Sequence, residues 1–299
     1  MKIAHISDLH IRNYRYHYEY EQVFERLYEK LKELKPDIIV NTGDTAHTKL
    51  NLSPSYFDMA ARMFEKLADI APYHIILGNH DLNLRNLSKI DAVSPLVAAL
   101  NHPDIHFHKY SAEVDIGGGF CFHILSIVDE ENWTLPTDMD KVNIALFHGS
   151  VAGVKTSTGW TMTHGDISLD RLTEYDYALL GDVHKPNQEL DKEGRIRYAG
   201  SLVQQNFGES EEKGFLLWDI KDVDTFTVKH YALENPKPFV TINLTKKGKI
   251  PAEARIKEGC RLRLVSNVNL PIDIVKRAID VAKTKYNPET VNYYSNVFG

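Results

Sequence analysis

The chain has 299 residues, 43% of them hydrophobic, enough for one large domain or a large one with a small companion. No stretch approaches the ~20 consecutive apolar residues of a membrane helix, and no charged-then-apolar leader opens the sequence, so a helical membrane protein is excluded and a cytoplasmic setting is expected. The net charge of −6 hides an asymmetry: residues 236–299 carry 12 Lys+Arg against 5 Asp+Glu, leaving 23 against 36 for the rest. An acidic body with a basic attachment suggests a grip on a polyanion. The two cysteines, Cys121 and Cys260, offer at most one disulfide and no zinc framework, which fits a reducing compartment.

In chain order, 2–8 (KIAHISD), 37–44 (DIIVNTGD) and 73–81 (YHIILGNHD) are short apolar runs ending in polar residues, the pattern of strands. Between them, Val23, Phe24, Leu27, Tyr28, Leu31 and Leu34 recur at helical spacing. So do Tyr56, Met59, Ala60, Met63, Phe64 and Leu67, behind Ser53 as N-cap and Pro54 in the first turn. Strand and helix alternate as in βαβ units with parallel pairing. From 105 the character is β: 105–128 around GGG at 117–119, then 141–150, 179–186, RIRYAGSL, GFLLWDI and TFTVKHYAL. Helices early and strands late predict an α/β fold, two packed sheets with helices outside (an αββα sandwich), over residues 1–234. NPKP at 235–238 reads as a linker to a small basic α/β unit, 235–299.

The predicted strand ends hold the polar residues that matter. They are Asp8 and His10, Asp44, Asn79-His80-Asp81, His148, and Asp182 with His184. In open α/β sheets ligands gather beyond the carboxyl ends of the strands, so these five tips are expected to converge. Any one of them has a plain explanation, because Asp and Asn favour turns. Five in order point to a site. Oxygen donors mixed with imidazole, and no thiolate, suit manganese, iron or zinc, and seven candidate ligands suit two ions with one carboxylate shared.

This ordered set resembles the calcineurin-like metallophosphoesterases, with their D-x-H, G-D, G-N-H-[DE], H and G-H-x-H motifs. The stretch RIRYAGSLVQQNFGESEEKGFLLWDI (195–220) is similar to the segment that follows the last metal motif in SbcD-type nucleases, the nuclease subunit of a double-strand-break repair nuclease–ATPase complex of cells and some phages. KPFV at 237–240 resembles the start of that family's DNA-binding capping domain. The resemblance implies two divalent ions, manganese first and magnesium as the other candidate. Asp8, His10 and His184 would hold one ion, Asn79, His148 and Asp182 the other, with Asp44 bridging. His80 matches the catalytic histidine, Asp81 is expected to orient it, and His47 matches a substrate-placing histidine. Where the family has Gly-His-x-His, this chain has Gly181-Asp182-Val183-His184; a carboxylate ligates manganese as an imidazole does, so replacement rather than loss of the second ion is expected.

The implied activity is exonuclease action on duplex ends and endonuclease action on single strands, in the cytoplasm (the host's, if phage-encoded). Tyr14, Tyr16, Tyr18 and Tyr20, interleaved with Arg12, Arg15 and His17, offer stacking faces and cations for DNA. The implied partners are DNA, an SbcC-type coiled-coil ATPase and a second copy of the chain, through residues 54–69 and 88–100. Two rivals stand beside this reading: a phosphatase or small phosphodiesterase of the same fold, and a metal-poor scaffold. His123 and several other histidines read as structural. His164, in the loop 153–165, is given no role.

Overall fold

A computed structural model describes residues 1–153 and 165–298, so His164 lies outside the described residues. The chain divides into two compact units. The first is Met1–Val203 with Glu212–Leu233, and the second is Gln204–Glu211 with Glu234–Gly299.

Two six-stranded mixed sheets build the first unit. One runs Phe226–Ala232, Gly214–Ile220, Lys2–Ile6, Ile38–Asn41, Tyr73–Ile76, Ile105–His108, and its last four strands are parallel. The other runs Gln188–Glu189, Ile196–Tyr198, Tyr177–Gly181, Val142–His148, Phe120–Leu125, Ala112–Gly117, with the middle four parallel. The sheets pack face to face through one core that joins Ile3, Val40, Ile76 and Trp218 to Phe122, Ile144 and Leu179. Strands such as Val142–His148 are buried at every position, which is why they read as continuous apolar runs rather than alternating ones.

Helices His17–Leu34 and Pro54–Ile70 cover the outer face of the first sheet with the residues their spacing predicts, and Ser53 Oγ accepts from Tyr56 N at 3.1 Å as the N-cap. Every predicted apolar residue of Pro54–Ile70 is core, so that stripe has no surface left for a subunit contact. Among the described residues, the outer face of the second sheet is covered by Val151 and Ile167 of the short parallel pair Val151–Ala152 and Ile167–Ser168, by Leu172 of the single turn Leu169–Leu172, and by Tyr175.

The second unit is a three-stranded parallel sheet, Phe239–Asn243, Arg261–Ser266 and Thr290–Ser295, with helix Ile272–Tyr286 packed on it through Ala278 and Ala282. Residues 204–211 join it because Gln204 clamps Phe239: its Oε1 accepts from Phe239 N and its Nε2 donates to Phe239 O, both at 2.9 Å.

Buried imidazoles inside the first unit make its stability pH-dependent. Burial pushes His74 down to about 3 and His108 to about 4, and their ring nitrogens lie 2.9 Å apart. Both stay neutral when folded, whereas the unfolded chain takes up protons below about 6.5. Stability from this source is therefore complete above about 6.5 and is lost as pH falls from there towards 3–4. The fall in urea midpoint from about pH 7 to about pH 5 is expected to be smaller in the double variant His74→Phe, His108→Phe than in the wild type; an equal fall would contradict neutral burial.

Candidate metal centre

The five strand tips interlock through their backbones. Asp8 N donates to Gly43 O and His10 N to Asp44 O, each at 3.0 Å, and Asp182 N donates to Asp8 Oδ2 at 3.1 Å. Asp8 (φ 51°), His10 (φ 49°), Asp44 (φ 58°) and Asp182 (φ 106°) all lie in the left-handed region, a cost of order 1 kcal/mol or more each that persists where the surroundings over-determine it. Glycine permits the close approach: a Cβ on Gly78 would sit 2.2 Å from Asp44 Oδ1, and one on Gly181 would sit 2.4 Å from Ser7 Oγ and from Thr42 O.

The side chains so placed form two donor groups with one shared carboxylate. Asp44 Oδ2 lies 3.5 Å from His10 Nε2 and 3.4 Å from His148 Nε2. On one side, Asp8 Oδ1 is 3.8 Å from both His10 Nε2 and His184 Nε2, which are 3.0 Å from each other. On the other, His148 Nε2 is 3.2 Å from Asn79 Oδ1 and 3.9 Å from Asp182 Oδ1. His148 Nδ1–H donates to Thr42 O at 2.7 Å, which fixes the tautomer that turns Nε2 inward. Thr42 and Ser7, whose hydroxyl donates to Asp8 Oδ2 at 2.6 Å, escaped sequence reasoning because only the folded tips reveal their contacts.

These residues fit cations. Asp8 Oδ1 is buried with no hydrogen-bond partner, a costly state for a carboxylate oxygen unless a positive charge meets it. Asp8, His10 and His184 bring one donor atom each within 4.8 Å of one another, and so do Asp8, Asp44 and His148. Burial raises the Asp8 and Asp182 carboxyls above the usual range. Burial also opposes charge on His148, but Asp44, then Asp8 and Asp182, outweigh it and push the imidazole up to about 10. Asp182→Ala is expected to lower metal content from about two ions per chain to about one, and Asp182→His to keep two; an alanine variant that binds both would remove Asp182 from the ligand set.

Beside this cluster, His80 N donates to Asp44 Oδ1 at 2.8 Å and its Nδ1–H donates to His47 O at 2.9 Å, leaving Nε2 unengaged by that bond. The His80 and His47 rings lie 4.9 Å and 5.6 Å from His10. Arg12 Nη1 donates to His47 Nε2 at 2.7 Å, and burial, then Arg12, hold that imidazole down to about 4.

Asp81 does not orient His80, contrary to expectation. Wholly buried, it accepts from Asp44 N and Gly78 N through Oδ2 and from Ala46 N through Oδ1, at 2.8–2.9 Å. It ties the second and third tips together, while the His47 carbonyl holds the His80 ring. The tyrosine row also divides. Tyr14 is 74% exposed and Arg15 is exposed, Arg12 lies over the Tyr16 ring at 5.3 Å, and a ring nitrogen of His17 bonds Arg12 O at 2.5 Å. Tyr20 is buried and offers no stacking face: its hydroxyl reaches the Leu9 and His10 carbonyls at 2.7 and 3.0 Å.

Residues 1–186 match the family described as calcineurin-like phosphoesterase. The chain belongs to that family. Its members are metallophosphoesterases, and the His/Asp groups above are the metal-binding residues such a chain would need. An uncharacterized protein of Acanthamoeba polyphaga mimivirus is 32% identical over 274 residues, 85% of this chain and 20% of its own length. A protein of Invertebrate iridescent virus 6, named as a phosphoesterase, is 28% identical over 196 residues, 62% of this chain and 65% of its own. The chain therefore spans less than two thirds of either viral relative. Among solved structures, a dimetal phosphatase from Danio rerio aligns with a TM-score of 0.40 at 12% identity, over 79% of this chain and 97% of that one. The E. coli phosphoesterase YfcE gives 0.36 at 15% identity, over 78% and 100%. The Pseudomonas putida nuclease MPE gives 0.27 at 18%, over 48% and 58%. Among the described residues no helix is long and apolar enough to cross a membrane.

Proposed function

We propose that this phosphoesterase is a manganese-dependent DNA nuclease of the SbcD type, cutting duplex ends exonucleolytically and single strands endonucleolytically during double-strand-break processing. The observation that carries the catalytic part is Asp44 Oδ2, set almost equally between His10 and His148 with a donor group on each side. Asp8, His10 and His184 would hold one ion and Asn79, His148 and Asp182 the other, with Asp44 on both. Bound there, the pair would clamp a phosphodiester and activate water.

The chain's own residues supply the rest. His80, held through Nδ1 by the His47 carbonyl, presents Nε2 to the substrate; as the imidazolium, with both nitrogens protonated, it stabilises charge building on the phosphoryl oxygens and passes the Nε2 proton to the departing sugar oxygen. His47 and Arg12, joined by their hydrogen bond, place a fixed positive charge beside that histidine for a neighbouring phosphate. DNA is favoured as substrate by the 195–220 resemblance, by the excess of 7 positive charges in residues 236–299, and by exposed Tyr14 and Arg15 in the loop after His10. An SbcC-type ATPase and a homodimer belong to the same proposal. Leu84, Leu87 and Ile90 are among the exposed apolar residues available for such a contact.

The rival phosphatase reading rests on the fold, which serves both chemistries. Incubation with manganese and plasmid, linear duplex or single-stranded DNA separates the two. Shortening of duplex and nicking of single strands is expected; inert DNA together with turnover of p-nitrophenyl phosphate would favour the phosphatase.

A further inference from the structure

A second group of ligating side chains sits away from the strand tips, on the sheet pair formed by Ala112–Gly117 and Phe120–Leu125. Glu113 and His123 are direct cross-strand partners, and Cys121 lies two residues before His123, so all three project from one face. A carboxylate oxygen of Glu113, the Cys121 sulfur and a ring nitrogen of His123 all lie within 4.8 Å of one another. Cys121 and His123 are each 1% exposed, while Glu113 stands at the solvent edge.

The tautomer of His123 can be read from its neighbour. Asn143 Nδ2 donates to the carbonyls of Asp138 and Lys141, both at 3.0 Å, so its Oδ1 must be the atom facing His123. Oδ1 lies 2.8 Å from His123 Nε2 and can only accept, so Nε2 carries the proton. Nδ1 is then a bare lone pair. It is buried and has no hydrogen-bond partner, which is costly for a polar atom with nothing to bind. An imidazole whose outer N–H is held by an amide oxygen and whose inner nitrogen is open is the arrangement found in metal-ligating histidines.

We propose that Glu113, Cys121 and His123 form a second cation site, suited to a thiophilic divalent ion such as zinc, with its remaining position open to water. One carboxylate, one thiolate and one imidazole make a donor set softer than that of the strand tips, so the two sites would differ in metal preference. Binding exchanges the Cys121 S–H bond for a sulfur–metal bond, and the proton leaves to water. The nearby ammonium of Lys141 does not compete for Glu113, because it pairs with Asp115 at 2.8 Å. Such an ion would also pin the outermost strand of the second sheet to its neighbour.

Cobalt(II) titration of the full chain tests this through thiolate-to-cobalt charge transfer, an absorption that the sulfur-free strand-tip site cannot produce. The band is expected to appear, to saturate at about one ion per chain, to bleach with added zinc and to persist in Cys260→Ser. Cys121→Ser should abolish it. Glu113→Gln, a change at the exposed edge that spares the fold, should weaken cobalt affinity by at least about tenfold. Absence of the band, its survival in Cys121→Ser, or unchanged affinity in Glu113→Gln would each overturn the site. None of these outcomes depends on nuclease activity.

Discussion

Asp44→Ala is expected to lower phosphodiester turnover by about 10³-fold or more, because it removes an anchor common to both donor groups and with it several kcal/mol of charge stabilisation. Its Oδ2 lies within 3.5 Å of ring nitrogens on both sides of the site, and its Oδ1 holds His80 N. The same substitution should also lower stability in the metal-free protein. Burial opposes charge on Asp44, but His148 and then His10 outweigh it and hold its carboxyl below the usual range, so the carboxylate stabilises the fold at neutral pH despite repelling Asp81, whose own carboxyl burial and then Asp44 push up to about 7. Thermal melts with and without manganese separate the effects: the wild type gains about 2.7 kcal/mol at a metal concentration 100 times its dissociation constant, and Asp44→Ala should lose most of this gain on top of a lower metal-free melt. A variant that still shows the full manganese shift would mean that Asp44 does not bridge.

The strand tips were readable from sequence because each is a local event: an apolar run that stops, at Gly43, Gly78 or Gly181 in three of the five, and leaves an acid or imidazole facing the other tips. Asp182 and His184 follow that rule even though the motif departs from the family's pattern. What local pattern could not supply was the partner of each side chain. Asp81 follows His80 in the chain, yet its oxygens face the backbone of residues 44 and 46, so adjacency suggested the wrong role. Tyr20 looked like the fourth of an alternating row, but the helix begins at His17, the period changes from two to 3.6, and the ring turns inward. Residues 204–211 are distant in sequence from the second unit and join it through the two bonds between Gln204 and Phe239. Glu113, Cys121 and His123 belong together only once Ala112–Gly117 and Phe120–Leu125 are paired in register.

His80→Ala should lower turnover by about 10²–10⁴-fold, the range for loss of a positioned acid–base group, while metal content stays at that of the wild type. The split tests the role proposed for it. His80 lies 4.9 Å ring to ring from His10 and brings a donor atom within 4.8 Å of donor atoms of His10 and Asp44, so unchanged metal content in His80→Ala separates a histidine that faces the phosphate from one that anchors a cation. Asp81→Asn is the contrasting variant. The amide keeps one acceptor but puts an NH₂ against a backbone N–H that now donates to the carboxylate, so the tips lose their tie and the defect should appear as a lower melting temperature. A small ester with a good leaving group refines the point, since p-nitrophenolate departs without a proton. If His80 chiefly protonates the leaving oxygen, His80→Ala should impair bis-p-nitrophenyl phosphate far less than DNA; if it chiefly stabilises phosphoryl charge, both substrates should suffer alike. Full activity of His80→Ala on both would leave this histidine without a part in the reaction.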